Sequence, residues 1–342
     1  MRLVRFDAGA GPRMGVVDGT RVIDLREAGL DFPDLLSIIH AGQHGLAKID
    51  ALIGTAGPGA DLEQVRLLAP IERPGKYLAI GMNYRKHAEE SERIGVATPK
   101  KQLWFNKQTT CISGPFDDID PGVTEKLDYE VELGVIIGRR AKSVTADDAL
   151  SVVFGYFVAN DVSARDWQFH TPTFTMGKSF DTHGPIGPWI VTADEIPDPQ
   201  SLALTCRVNG ELRQSANTSE MVHSIADQIG YLSTAFTLEP GDLIATGTPE
   251  GVGVACEPPV FLQQGDIVRC EIETIGFIEN RVALARQSLE RQSCASRVSS
   301  PTALTSPICR SAPGFTNWPG LGQSPMATSS ACRAVRDDRA SS

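Results

Sequence analysis

Several features that mark common protein classes are missing from this sequence. No apolar run approaches the ~18 residues that a membrane-spanning helix needs, and the N-terminal residues lack the apolar stretch of a signal peptide. The seven cysteines form no CxxC pair, so neither a zinc ribbon nor a disulfide scaffold is expected. These absences predict a reduced, cytoplasmic protein without a membrane partner.

Positive charge is also scarce. The chain of 342 residues has 32 Lys and Arg against 42 Asp and Glu, a net charge of −10, and it contains no basic block. Because binding to phosphates requires clustered Lys and Arg, we expect no nucleic-acid partner. The GxSxG, GxGxxG and GxxxxGK patterns are absent too, so a serine hydrolase of that type, a dinucleotide-binding fold or a P-loop is not indicated.

The chain divides into three segments. Residues 1–72 alternate short strand patterns with a helical pattern and carry no reactive cluster, which is typical of a small N-terminal α+β domain. Residues 73–283 hold short runs of β-branched and aromatic residues between Gly and Pro, which predict a mostly β domain with a few covering helices. Residues 284–342 are rich in Ser, Thr, Pro and Arg without periodicity. This composition predicts a disordered low-complexity tail, and an aberrant extension from a reading-frame change is one hypothesis for its origin.

The runs of apolar residues predict strands and helices at defined positions. The predicted strands of the middle segment are Tyr77–Ile80, Tyr129–Ile137, Val152–Val158, Trp189–Val191, Ala203–Val208, Leu243–Thr246 and Ile267–Ile272. The predicted helices are Asp34–Ile39, Arg85–Arg93, Ala146–Leu150 and Ser219–Thr234. The fold class is therefore predicted as α+β and mostly β.

The predicted strand Tyr129–Ile137 begins within a run of acidic residues. Side chains alternate along a strand, so Asp128, Glu130 and Glu132 share one face and apolar residues share the other. The strand then becomes wholly apolar, which indicates that it enters a core. Like charges on one buried face repel each other, and a bound cation relieves that repulsion. The alternative is an ordinary solvated strand face.

A second apolar strand ends in an acidic residue, Asp161. If this strand lies beside the first, Asp161 comes close to Glu130 and Glu132. Three carboxylates without a soft ligand suit a hard cation, Mg²⁺ or Mn²⁺, and are compatible with Ca²⁺. Coordination positions that the protein leaves free would bind water and substrate.

Two pairs of polar residues follow strands. His87 and Glu90 are three residues apart in a predicted helix, where they would share a face, and His beside a carboxylate can act as a general base. Arg165 and Gln168 come soon after Asp161 and could hold a substrate carboxylate or carbonyl. The alternatives are an ordinary surface helix for the first pair and surface contacts for the second.

Two glycine-containing loops complete the candidate residues. Lys178 lies next to a glycine and could bind anionic oxygens of a substrate. Gly247 and Thr248 lie in a Gly-rich turn whose backbone N–H groups and hydroxyl could hold an anion. A tight structural turn explains those glycines equally well.

Taken together, these stretches resemble the fumarylacetoacetate hydrolase family. The resemblance covers residues 73–283, and residues 1–72 resemble the short N-terminal domain of many bacterial members. Residues 258–273 are similar to a subgroup of the family that includes the fumarylacetoacetate hydrolase domain-containing 2 proteins and the acylpyruvases. The motifs that carry the resemblance occur in the family's order: Gly81–Glu90, Asp128–Gly134, Asn160–Gln168, Gly177–Gly187 and Thr246–Gly253.

The resemblance implies a mixed β-sandwich or β-roll, a homodimer, and a metal ion that is usually Mg²⁺. It implies that Glu130, Glu132 and Asp161 are the metal ligands, while Asp128 opens the motif without being a ligand. It also implies that His87 and Glu90 activate water and that Lys178 steadies an enolate. Under the same resemblance, Gln168 and Thr248 contact oxygens of the substrate.

Three functional hypotheses follow. The first is hydrolysis of a C–C bond in a 2,4-dioxo acid such as an acylpyruvate or fumarylpyruvate, with release of pyruvate through its enolate. The second is isomerisation, tautomerisation or decarboxylation at the same metal site, acting on oxaloacetate or a dienedioate. The third is a catalytically inactive relative that serves as a binding or scaffold protein.

Overall fold

The computed structural model describes residues 1–55, 59–93 and 95–283. The predictions for residues 284–342 lie outside the described residues. The strands are β1 (Arg2–Asp7), β2 (Pro12–Asp18), β3 (Arg21–Asp24), β4 (Gly59–Asp61), β5 (Arg66–Leu68), β6 (Tyr77–Gly81), β7 (Leu103–Asn106), β8 (Ile112–Ser113), β9 (Leu127–Asp128), β10 (Val131–Ile137), β11 (Val153–Asn160), β12 (Ser163–Ala164), β13 (Gly184–Thr192), β14 (Ala203–Val208), β15 (Glu211–Asn217), β16 (Leu243–Ala245), β17 (Ile267–Ile272) and β18 (Gly276–Arg281). The α-helices are α1 (Leu35–Asp50), α2 (Arg85–Arg93), α3 (Ala146–Ala149), α4 (Arg165–Gln168) and α5 (Ile225–Ala235).

A large mixed sheet forms the centre of the fold. Ten strands follow the order β4-β3-β2-β1-β13-β11-β10-β16-β6-β7, β5 pairs with β1, and β8 pairs with β13. A second sheet has the order β15-β14-β17-β18, and β12 pairs with β9. The predicted α+β, mostly β class is confirmed. Because β1 pairs with β13 in antiparallel register, strands from residues 1–72 extend the sheet of the following segment. The boundary at residue 72 stays a prediction.

Strand β10 is buried on both faces, as its apolar sequence requires. On one face, Val131, Leu133 and Val135 pack in a core that includes residues of β14, β17 and α5. The other face carries Glu132 and Gly134. A Cβ added at Gly134 would lie 2.2 Å from the ring of Phe157, so the close approach of these strands requires glycine.

The bounds of one helix match those predicted from the sequence, and the bounds of the others differ. Helix α2 has the predicted bounds. Helix α1 extends well beyond the predicted Asp34–Ile39, and Asp34 is its N-cap, accepting from Ser37 N. The predicted helix Ser219–Thr234 is wrong at its start. A 3₁₀ turn covers Thr218–Glu220, and α5 begins only after Ser224, whose hydroxyl caps it.

The predicted strand Tyr129–Ile137 also needs correction. Strand β9 ends at Asp128 and β10 begins at Val131, so the pairing is interrupted at the start of the acidic run. Within the described part of the chain, no helix is long and apolar enough to cross a membrane.

Candidate active site

Three buried carboxylates meet where two central strands begin and end. Strands β10 and β11 are antiparallel, with Val131 opposite Asn160, so the start of β10 lies beside the end of β11. This register brings Glu130, Glu132 and Asp161 together, with ligand oxygens within 4.8 Å of one another. The side-by-side arrangement that the sequence suggested for the two strands is therefore present.

Three cationic side chains surround these carboxylates. Lys178 Nζ lies 2.7 Å from Glu130 Oε2 and 2.8 Å from Asp161 Oδ2. Lys107 Nζ lies 2.5 Å from Asp161 Oδ1, and Arg165 Nη2 lies 2.7 Å from Glu130 Oε1. Two of the three carboxylates are thus neutralised by direct contacts.

Glu132 is the carboxylate without such a contact. Its Oε2 accepts a hydrogen bond of 2.8 Å from Gly247 N, and no Lys or Arg pairs with it among the described residues. Burial raises its pKa well above the ordinary value, and the charges of Asp161 and Glu130 raise it further. Burial also acts to raise the pKa of Glu130, but Lys178 and Arg165 outweigh it and lower that pKa to about 2.

The unneutralised Glu132 beside two further carboxylates fits a divalent cation. The donor set consists of oxygen atoms, which suits a hard cation such as Mg²⁺ or Mn²⁺. A cation placed among these oxygens would offset the like-charge repulsion that raises the pKa of Glu132. Glu130, Glu132 and Asp161 could therefore hold the metal, as the sequence predicted.

Asp128 has a different environment, although it belongs to the same acidic run. Its Oδ1 accepts from Tyr129 N at 2.9 Å and Gly253 N at 2.8 Å. Its Oδ2 accepts from Val254 N at 3.0 Å and Arg165 Nε at 2.8 Å. Asp128 therefore connects the Gly-rich turn to Arg165 through hydrogen bonds. It does not belong to the group of candidate metal ligands.

The predicted substrate-binding residues Arg165 and Gln168 are buried and contact each other. Arg165 Nη1 donates to Gln168 Oε1 at 2.9 Å, on the short helix α4. A Cβ on Gly177 would lie 2.3 Å from Gln168 N, so only glycine permits this close approach. Both side chains line the same pocket as Glu130 and Lys178.

His87 and Glu90 form the predicted pair on α2. His87 Nδ1 lies 3.1 Å from Glu90 Oε2, and Glu90 Oε1 accepts from Gly251 N at 3.0 Å. One oxygen of the Glu90 carboxylate thus contacts His87, and the other is fixed by the backbone of Gly251. His87 also lines the pocket, and its contact with Glu90 leaves Nε2 as the ring nitrogen available for chemistry.

The two residues of the Gly-rich turn have separate roles. The sequence assigned Gly247 to substrate binding, but its N–H is already used by Glu132, so this turn orients a candidate ligand. Gly247 has φ +100°, and a Cβ there would lie 2.6 Å from Asn83 Cβ. Thr248 lines the pocket, and its Oγ1 accepts from Gln214 Nε2 at 2.8 Å, which leaves the hydroxyl proton free to be donated.

Sequence reasoning missed three buried polar residues. Lys107 reaches Asp161 and also donates to the carbonyl of Lys178, and its only sequence signal is a lysine directly after an apolar strand. Asn83 donates to Thr246 O at 2.8 Å, and Gln214 accepts from Val131 N at 3.0 Å. The partners of both amides are distant in the chain, so the sequence offers no local pattern for them.

Comparisons with known proteins identify the family of this chain. The family described as "Fumarylacetoacetate (FAA) hydrolase C-terminal" matches residues 76–283. Oxaloacetate tautomerase FAHD2B, mitochondrial, from Bos taurus is 44% identical over 290 residues, which are 82% of this chain and 91% of that protein.

Solved structures are similar over the same region. Fumarylacetoacetate hydrolase from Exiguobacterium antarcticum superposes with a TM-score of 0.74 at 39% identity, covering 84% of this chain and 100% of that one. Maleylpyruvate hydrolase from Sphingobium sp. SYK-6, solved with manganese (II) and pyruvate, has a TM-score of 0.71 at 34% identity with the same coverage. Both structures are similar to most of this chain. The protein belongs to the fumarylacetoacetate hydrolase family.

Proposed function

We propose that this protein is a divalent-metal-dependent keto–enol tautomerase of a 2-oxo acid, with oxaloacetate as the substrate. The observation that carries the proposal is the location of the Glu130, Glu132 and Asp161 group next to the pocket that His87 lines. The similarity to the bovine oxaloacetate tautomerase supports this reaction over C–C hydrolysis.

The metal and the protein would have different tasks. Glu130, Glu132 and Asp161 would hold a Mg²⁺ or Mn²⁺ ion, which would supply Lewis-acid stabilisation of the negative charge that a 2-oxo acid gains when it loses a proton. His87 would take the proton from C3 through Nε2, while Glu90 fixes its ring orientation through Nδ1. A proton returned to the 2-oxo oxygen completes the enol, so the reaction needs no oxidant.

The remaining polar side chains would orient the substrate. Lys178 Nζ lies between two candidate ligands and can donate to the oxygen that gains charge. Gln168 and Thr248 line the same pocket and can donate to the substrate carboxylate. Arg165 acts mainly by fixing Gln168 and Glu130, since its nitrogens are used within the protein.

A second candidate is hydrolysis of the C–C bond of a 2,4-dioxo acid. The contact of 3.1 Å between His87 Nδ1 and Glu90 Oε2 favours it, because an oriented histidine can also deprotonate water. The maleylpyruvate hydrolase among the similar structures supports this candidate.

Proton NMR on the full chain with Mg²⁺ would distinguish these reactions. We expect exchange at C3 of oxaloacetate to accelerate, to stop with a chelator, and to be lost in His87→Ala but kept in the control His40→Ala, an exposed histidine. Formation of acetate and pyruvate from acetylpyruvate would instead favour the hydrolase. Loss of CO₂ from oxaloacetate would indicate a decarboxylase, and either result without accelerated exchange would overturn the tautomerase.

The homodimer that the family resemblance implies is part of the same proposal. Size-exclusion chromatography with light scattering on the full chain tests it, and a monomer mass would contradict it.

A further inference from the structure

One wall of the candidate active-site pocket is a row of three phenylalanines. The ring centroids of Phe105 and Phe174 are 6.0 Å apart, and those of Phe174 and Phe169 are 5.6 Å apart, both edge to face. All three side chains line the pocket together with Glu130 and Lys178. We call Phe105, Phe174 and Phe169 the aromatic row.

The aromatic row runs from the carboxylates outward. Lys178 Nζ, which contacts Glu130 and Asp161, lies 5.2 Å from the centroid of the Phe105 ring. Phe105 is 6% exposed, Phe174 is half-buried, and Phe169 is 54% exposed. A contiguous apolar patch that is rimmed by polar residues commonly marks a binding surface.

The same wall offers little to a second negative charge. Arg165 and Lys178 are the Lys or Arg residues among the described residues that line the pocket, and both are already in ion pairs with buried carboxylates. A carboxylate lying along the aromatic row would lose hydration without gaining a free cation, so the second carboxylate of oxaloacetate would face Gln168 and Thr248 rather than the aromatic row. An uncharged ring would instead pack edge to face with Phe174 and Phe169.

We propose that the aromatic row binds an aromatic group on C3 of the substrate, so that the protein also tautomerises arylpyruvates. This inference rests on the proposed function, because the 2-oxo acid end of the substrate would lie at the same carboxylates. In the reaction the C3–H bond breaks, His87 takes the proton, and an O–H bond forms on the 2-oxo oxygen. The C3 carbanion is delocalised into the enolate, and no electrons are exchanged with a second reactant.

Phenylpyruvate is the probe, with oxaloacetate measured on the same full-length protein with Mg²⁺. We expect C3 exchange of phenylpyruvate to be accelerated. Phe169→Ala should lower kcat/KM for phenylpyruvate about tenfold relative to kcat/KM for oxaloacetate, because the substrate ring loses an edge contact. Phe169→Arg should change the ratio further in favour of oxaloacetate, because it adds a cation at this exposed position. The control Phe116→Ala, a comparably exposed phenylalanine outside the pocket, should leave the ratio unchanged.

The outcomes separate this inference from the proposed function. Turnover of oxaloacetate without turnover of phenylpyruvate would overturn the inference alone. Phenylpyruvate turnover with an unchanged ratio in both Phe169 variants would also overturn it, because the aromatic row would then not contact the substrate. If phenylpyruvate is turned over, its kcat/KM falls in Phe169→Ala but not in Phe116→Ala, and oxaloacetate is inert, the inference stands and oxaloacetate is wrong as the substrate.

Discussion

Asp128 and Glu132 are buried carboxylates of the same acidic run, but their surroundings compensate their charges to very different extents. Asp128 accepts hydrogen bonds from Tyr129, Gly253 and Val254 and pairs with Arg165. Glu132 accepts one from Gly247 and faces two further carboxylates. Among the described residues, Asp128 has a cationic partner in direct contact, and Glu132 has none.

This difference separates a structural carboxylate from a candidate ligand. Burying a charge is favourable only when hydrogen bonds and an opposite charge replace the lost hydration. Asp128 meets that condition, so removing it should harm folding. Glu132 does not meet it, so removing its charge should harm metal binding while the metal-free fold loses nothing.

The largest effect is expected for Asp128→Ala. This change leaves Arg165 Nε and the backbone N–H groups of Gly253 and Val254 without their acceptor. We expect the free energy of unfolding to fall by about 3–5 kcal/mol, as for other broken buried ion pairs. Urea unfolding measures it, with the exposed Asp118→Ala as the control. If the free energy of unfolding falls no further in Asp128→Ala than in Asp118→Ala, Asp128 is not a structural carboxylate, and its difference from Glu132 is contradicted.

Glu132→Gln should act in the opposite sense. We expect the affinity for Mg²⁺, measured by titration calorimetry, to fall more than about a hundredfold, which is about 2.7 kcal/mol. The metal-free variant should be at least as stable as the wild type, because burial and the neighbouring carboxylates disfavour a charge that glutamine lacks. Glu125→Gln, at an exposed position, is the control. Unchanged Mg²⁺ affinity would show that Glu132 is not a ligand.

Lys107→Met tests a supporting contact of the candidate ligands. The variant removes the cation from Asp161 Oδ1 and the hydrogen bond to the carbonyl of Lys178, so the Asp161 side chain and the backbone at Lys178 each lose a contact. We expect Mg²⁺ affinity to fall about 10- to 100-fold, the usual cost of losing an outer contact of a ligand. The exposed Lys48→Met should bind as the wild type does. Tighter Mg²⁺ binding by Lys107→Met would mean that the lysine competes with the metal.

The smallest effect is a pH dependence of the metal-free protein. The pKa of Glu132 is raised in the folded state, so the folded protein holds that proton more tightly than the unfolded chain. Stability should therefore fall as pH rises from the ordinary carboxyl pKa to the raised one, by at most about 1.4 kcal/mol per pH unit. Urea unfolding with a chelator present measures this, and the slope should shrink in Glu132→Gln. Equal slopes in the two proteins would contradict the raised pKa.

Much of the site could be predicted because its chemistry is local in the sequence. The alternation of acidic and apolar residues at the start of β10 and the acid after β11 pointed to Glu130, Glu132 and Asp161. The i, i+3 spacing pointed to His87 and Glu90 on one helix. The prediction that Asp128 shares a strand face with Glu130 and Glu132 was wrong, because β9 ends at Asp128 and β10 begins only at Val131.

The mostly β class, the helix α2 and the residue types that suit a hard cation could be predicted without a structure, because each depends on periodicity or on side-chain chemistry. Which charges are neutralised depends on the folded arrangement. Lys107 meets Asp161, and Gly247 meets Glu132, across long separations in the chain. Such contacts depend on strand register and loop closure, which hydrophobic periodicity does not encode for individual polar atoms. The aromatic row arises in the same way, because Phe105 and Phe174 become neighbours only after the fold has formed.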